Sequence, residues 1–104
     1  MLYRPLGHTG LSVSILSYGA SPLGGVFRPT DDLEGIRAVH TALDLGINFI
    51  DVAPYYGATR AETVLGRALH GVARDRYILA TKVGQSGDGQ FDFSAARVIR
   101  RLNE

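Results

Sequence analysis

At 104 residues the chain is long enough for one small domain with a core of its own. Its net charge of +1 gives no strong pull toward nucleic acid or an anionic membrane surface. The absence of cysteine excludes disulfides and thiolate metal ligands and fits a reducing compartment. No run approaches the ~20 apolar residues a membrane-spanning helix needs, and the opening MLYRPLGHTG has no signal-peptide core. These features together set the expectation of a cytoplasmic domain. Thirteen glycines announce many tight turns.

In chain order, Leu2–Leu6 and Leu11–Ser14 flank the turn Gly7-His8-Thr9-Gly10 and read as a hairpin. Ile15 to Tyr18 reads as a short strand ending at Gly19, followed by a Gly- and Pro-rich loop to Pro29. Asp31 and Glu34 form a D-x-x-E pair resembling a capping box. Leu33, Ile36, Val39 and Leu43 then recur at helical spacing until Gly46 ends the helix. Ile47 to Asp51 is the next strand. Thr59 and Glu62 make a T-x-x-E box, after which Ala61, Val64, Leu65, Ala68, Leu69 and Val72 line one helical face. Tyr77 to Lys82 is a third strand. The Gly-rich stretch Gly84–Gly89 follows, and a helix begins near Ser94 with Ala95, Val98, Ile99 and Leu102 on one side.

The order is a hairpin followed by three strand–helix units, which predicts an α/β fold with a parallel sheet and right-handed crossovers. The strands are short and apolar on both faces, as parallel strands are. Leu102-Asn103-Glu104 shows no helix-ending signal, and such a sheet has two open edges. A (β/α)8 barrel takes about 250 residues. The expectation is therefore the first part of a larger domain, or a truncated product of one.

NFIDVAPYYG, residues 48 to 57, ends an apolar strand on a charge. Asp51 closes the second strand, Lys82 closes the third, and Tyr56 lies in the loop after Asp51. Consecutive parallel strands are often neighbours, and ligands gather at their C-terminal ends, so the three groups can meet. A phenol is a poor acid or base near neutrality. A neighbouring ammonium favours the phenolate, and an aspartate facing the lysine keeps it charged. The product is a tyrosine able to exchange a proton with a carbonyl or alcohol oxygen, half of a hydride-transfer site whose other half is a nicotinamide. Each residue alone has a plainer reading. Asp51 can cap the turn before Pro54, Lys82 can reach water from a strand end, and Tyr55 or Tyr56 can be a core aromatic. Spacing and strand position together favour the site.

Other patterns fail. No G-x-G-x-x-G follows a strand and no Walker sequence occurs. His8, His40 and His70 are scattered, so no metal site is expected. Ser21 has no base partner, and Gly84–Gly89 reads as a flexible loop rather than a phosphate cradle.

INFIDVAPYYG, AETVLGRAL and YILATKVG, in that order, resemble the aldo-keto reductase family, and YRPLGHTGLSVS resembles the hairpin that closes the bottom of its barrel. The resemblance spans nearly the whole chain. It implies the N-terminal portion of a (β/α)8 barrel that uses NADP or NAD without a Rossmann domain. Tyr56 would be the general acid or base, Lys82 would lower its pKa, and Asp51 would hold Lys82. Cofactor contacts are implied at Gly19, Ala20, Ser21 and Asp51. The family's fourth catalytic residue, a histidine after the fourth strand, and its adenosine-binding segments have no counterpart in these residues, so the chain alone is expected to be inactive.

YGASPLGGVF and DFSAARVIRRLNE look like the aldose 1-dehydrogenase branch, which includes L-galactose and L-fucose dehydrogenases and oxidises a sugar at C1 to a lactone. Pyridoxal dehydrogenase is a near relative of that branch. The rival readings are a truncated, inactive product and a non-catalytic regulator on the same barrel, as potassium-channel β subunits are.

Overall fold

The computed structural model describes residues 1–103. β1 (Tyr3–Pro5) and β2 (Ser12–Ser14) form an antiparallel hairpin, with Arg4 opposite Val13. A separate parallel sheet holds β3 (Tyr18–Gly19), β4 (Phe49–Asp51) and β5 (Ile78–Ala80) in that order. Its register aligns Gly19 with Asp51 and Asp51 with Ala80, so all three strands end at one level. Helices α1 (Asp32–Asp44), α2 (Arg60–Leu69) and α3 (Ala95–Leu102) follow the strands in turn. This is the expected hairpin followed by three βα units.

Local chemistry sets most boundaries. The Asp31 carboxylate accepts the Glu34 N–H and starts α1. Gly46, at φ 94°, ends it in the left-handed region, where its N–H reaches the Leu43 carbonyl at 3.0 Å. The Ser94 hydroxyl accepts the Arg97 N–H and starts α3. Asn48 ties the hairpin to the sheet: its side chain accepts the Ser14 N–H at 2.7 Å and donates to the Ser12 carbonyl at 3.0 Å.

The core lies between the sheet and the first two helices, centred on Ile50, Val52, Val39, Val64, Leu65 and Leu23. The α2 face forms with Ala61, Val64, Leu65, Ala68 and Leu69 all buried, but the helix ends at Leu69, so Val72 packs against the core from beyond it, partly buried. The α1 face keeps Val39 and Leu43 buried and Ile36 packed against the core, as its spacing predicts, but not its first member. Leu33 is exposed, and the buried positions are Gly35, Val39, Ala42 and Leu43. Gly35 lets Leu23 pack onto the helix, since a Cβ there would lie 2.8 Å from the Leu23 side chain.

Several expectations are corrected. Ile15 and Leu16 are exposed and outside any strand, because the Ser14 hydroxyl bonds the Leu16 carbonyl in a local turn that delays β3 until Tyr18. The strands predicted at Ile47 and Tyr77 begin instead at Phe49 and Ile78; the Ile47 N–H still closes α1 on the Ala42 carbonyl. Thr59 does not cap α2. It sits at φ 73°, without a side-chain hydrogen bond to the helix end, because the chain enters α2 from a left-handed turn. Gly84–Gly89 belongs to a small ordered hairpin, bridged between Gln85 and Phe91 and closed by Asp92 N–H on the Gly84 carbonyl at 2.8 Å. The apolar side of α3 is open, with Ile99 and Leu102 both exposed.

Candidate active site

Asp51 is the last residue of β4, and Lys82 lies two residues beyond β5 on the same side of the sheet. The Lys82 ammonium donates to both Asp51 carboxylate oxygens at 2.9 Å and to the Val52 carbonyl at 3.1 Å. It also stands 5.3 Å from the centre of the Tyr56 ring, within cation–π range. The three residues picked out in the sequence therefore meet, with the lysine between the other two. Partial burial acts to lower the lysine's pKa, but the hydrogen bonds and charge of Asp51, with smaller contributions from Tyr56, outweigh it and hold the pKa above the ordinary lysine value.

The segment between Asp51 and Tyr56 explains the placement. Val52, Ala53 and Pro54 are buried, so the chain leaves β4 without leaving the core. The Val52 N–H extends the ladder onto the Ala80 carbonyl at 2.9 Å, and the Val52 carbonyl accepts from Lys82. A string of turns follows: Tyr56 N–H to Ala53 at 3.2 Å, Ala58 N–H to Tyr55 at 3.3 Å, and Thr59 N–H to Pro54 at 2.7 Å. The half-buried Tyr56 packs against the core while Tyr55 faces solvent.

Of the three residues expected to contact the cofactor at the end of β3, Ala20 is fully buried and its N–H is taken by the Asp51 carbonyl at 2.8 Å. That bond fixes the end of β3 beside the carboxylate. Gly19 opens on free space, since a Cβ there would meet nothing within 4 Å. Ser21 begins a 3-10 turn spanning Ser21–Gly24 and is half-buried.

The features expected to be bystanders have structural employment. The His40 imidazole contacts the Ala68 carbonyl at 2.7 Å and ties α1 to α2, whereas His8 and His70 are exposed. In the Gly84–Gly89 stretch, the Gly89 N–H bonds the Ser86 carbonyl at 2.9 Å, and the Asp88 carboxylate accepts from the Ser86 hydroxyl and the Gln90 N–H. No group of histidines and carboxylates among the described residues could hold a metal ion. No helix among them is long and apolar enough to cross a membrane.

Sequence reading missed the groups that brace the site. Arg60 opens α2 and donates to the Thr30 carbonyl at 2.6 Å and to Asp32 at 2.8 Å, linking the first two βα loops. A cation at the positive end of a helix was the available signal that it has a partner elsewhere. The Glu62 carboxylate accepts the Thr81 hydroxyl at 2.7 Å, next to Lys82, and pairs with Arg101 of α3. A cavity of about 550 Å³ lies between α2 and α3 and over β5, lined by Leu65, Leu79 and Leu102 among others, and none of Asp51, Tyr56 and Lys82 lines it. It is the space beside the open face of α3.

The model of the Aldo/keto reductase family matches residues 15–104. The chain is 50% identical over 103 residues to L-galactose dehydrogenase of Arabidopsis thaliana, covering 97% of this chain and 32% of that protein. A solved structure of an aldo-keto reductase from Pseudomonas aeruginosa superposes with a TM-score of 0.84 at 46% identity, over 98% of this chain and 39% of that one. An aldo-keto reductase of Klebsiella pneumoniae, solved in complex with NADPH, aligns with a TM-score of 0.62 at 30% identity, over 69% of this chain and 24% of that one. The chain thus spans about a third of the L-galactose dehydrogenase it matches, and its three βα units correspond to the N-terminal part of a (β/α)8 barrel. With its strands, its hairpin and its ordered motifs all agreeing, the chain belongs to the aldo/keto reductase family.

Proposed function

We propose that this chain supplies the acid–base half of an NAD(P)-dependent oxidoreductase that oxidises an aldose at C1 to a lactone, and that it does so only within a complete barrel. The observation that carries the reading is the Lys82 ammonium, held on Asp51 at 2.9 Å and facing the Tyr56 ring. Phenol, ammonium and carboxylate move protons but do not accept hydride, so the donor set fits a site completed by a nicotinamide. The clear space at Gly19, level with Asp51 in the sheet, fits the close approach of a flat ring.

A bound NAD(P) would supply the hydride acceptor that these residues lack. Gly19, Ser21 and the Asp51 side would hold it, with Ala20 as packed wall, since its N–H is already engaged. The residues of this chain do the remaining work. Tyr56 accepts the proton of the anomeric hydroxyl as the carbonyl forms. Lys82 places positive charge beside the phenol oxygen, which carries the negative charge before it takes that proton and regains it in the reverse direction. Asp51 keeps Lys82 charged and oriented. In carbonyl reduction the same residues act in reverse, with Tyr56 as the acid.

The aldose is favoured by the 50% identity to an L-galactose dehydrogenase. The test is Tyr56→Phe in the complete protein, assayed with L-galactose, L-fucose and pyridoxal against NAD and NADP. Turnover should fall by about 100-fold or more while cofactor affinity stays within about twofold of the parent. Undiminished turnover would overturn the assignment of Tyr56. Cofactor binding without turnover of any substrate in the parent protein would favour the regulatory reading.

A further inference from the structure

We propose that Gly24 is a positioning residue for Tyr56: the 3-10 turn after β3 presses backbone to backbone against the Tyr56 loop and holds the phenol over Lys82. This inference rests on the acid–base role given to Tyr56 above, but its geometry is independent of the substrate.

The contact is unusually close. A Cβ built on Gly24 would lie 2.6 Å from the Tyr56 carbonyl oxygen and 2.9 Å from the Gly57 nitrogen. From the other side, a Cβ on Gly57 would lie 2.2 Å from the Gly24 carbonyl oxygen and 2.6 Å from its Cα. These obstacles are backbone atoms fixed by their own turns, so no side chain can swing away to admit a methyl group. Gly57 is favoured as glycine on a second ground, its φ of 65°. Gly24 is not among the positive-φ glycines, so the neighbouring chain alone requires glycine there.

The Tyr56 loop needs such support. Gly57, Ala58 and Thr59 are successively left-handed, at φ 65°, 52° and 73°, and two of them carry side chains for which that conformation is unfavourable. Arg60 continues the seam. Its guanidinium reaches Thr30 and Asp32 across the same junction, and Asp32 in turn accepts from Arg67 at 3.2 Å. The first βα loop is thus fastened to the second on both sides of Gly57. β4 places Asp51 directly, whereas Tyr56 is placed by a strained loop, and Gly24 provides the surface against which that loop is set.

The test is Gly24→Ala in the complete protein, with Gly66→Ala as control. Gly66 lies on α2, and a Cβ there meets nothing within 4 Å. Amide hydrogen exchange at Tyr56, Ala58 and Thr59 is read beside steady-state kinetics. Gly24→Ala should speed exchange at these amides by about tenfold or more while leaving α1 protected. It should lower kcat by about 10- to 100-fold with KM and cofactor affinity nearly unchanged, as expected for a displaced catalytic group. Gly66→Ala should change neither. Unaltered exchange at the loop overturns the inference, and so does faster exchange with undiminished kcat in an active protein. If the parent protein shows no turnover, the enzyme reading falls, and exchange alone decides whether Gly24 holds the loop. If Gly24→Ala does not fold, Arg60→Gln loosens the same seam without steric conflict. Exchange at Thr59 should then rise severalfold, and no change would overturn the lock.

Discussion

Replacing Asp51 with asparagine should separate stability from activity. The carboxylate makes two 2.9 Å bonds to Lys82, which on distance alone suggests a strong pair. The side chains are 48% and 41% exposed for Lys82 and Asp51, respectively, so solvent screens most of that attraction and the stability at stake is about 0–1 kcal/mol. The ammonium keeps its bond to the Val52 carbonyl and is not stranded. Asp51→Asn should therefore unfold within ~1 kcal/mol of the parent. In the proposed enzyme turnover depends on where the ammonium sits beside Tyr56, and a loss of about 100-fold corresponds to ~2.7 kcal/mol of transition-state stabilisation. Urea unfolding and steady-state kinetics on the same preparation give both numbers. A mutant that loses several kcal/mol of stability, or that turns over normally, would refute the view that the pair orients rather than stabilises. The pH dependence follows with a definite sign. The folded pKa of Lys82 is raised, so its contribution to stability is full below the unfolded lysine value, about 10.4, and is lost as pH rises through the folded value. Asp51→Asn should flatten that alkaline limb.

Two further outcomes are expected. Asp32 has its pKa lowered, first by the Arg60 hydrogen bond, so its contribution is present above the unfolded carboxylate value and lost as pH falls through the folded one; Asp32→Asn should flatten the acid limb of unfolding below about pH 4 and leave the neutral range nearly unchanged. Ile50 is 1% exposed on the central strand, so Ile50→Ala should cost about 2–5 kcal/mol by denaturant titration, and a loss below ~1 kcal/mol would contradict its place in the core.

What could be read from the sequence depended on how local the cause was. Asp51 and Lys82 were legible because one ends a strand and the other lies just past the end of the next, and parallel order makes those strands neighbours. The α2 face was legible because one helical period meets one flat neighbour. Leu33 misled because the choice of buried stripe on α1 depends on Leu23, from another segment, fitting over Gly35. The T-x-x-E pattern at Thr59 misled for the same reason. Glu62 is occupied by Thr81 and Arg101, partners that no window around α2 contains. Gly24 could not be singled out at all, since the need for glycine arises from a backbone far along the chain.

Thr59 shows how the site divides its work between rigid and strained parts. Read as a helix cap, Thr59→Ala should cost ~1 kcal/mol, as loss of such a cap does. The structure gives Thr59 no side-chain bond to the helix end and a φ of 73°. Its N–H and carbonyl bonds, to Pro54 and from Thr63, survive truncation. Thr59→Ala should therefore be nearly neutral. Thr59→Gly should gain up to ~1 kcal/mol from relief of the left-handed strain, less the entropy of a freer unfolded chain. The same glycine would widen the conformations open to the loop that carries Tyr56. The proposed enzyme should then be at least as stable and slower, with kcat reduced severalfold and KM little changed. A Thr59→Gly protein that is both more stable and as fast would show that the left-handed turn is mere tolerance. Lower activity at undiminished stability would show that the bend into α2 is retained for the tyrosine it places.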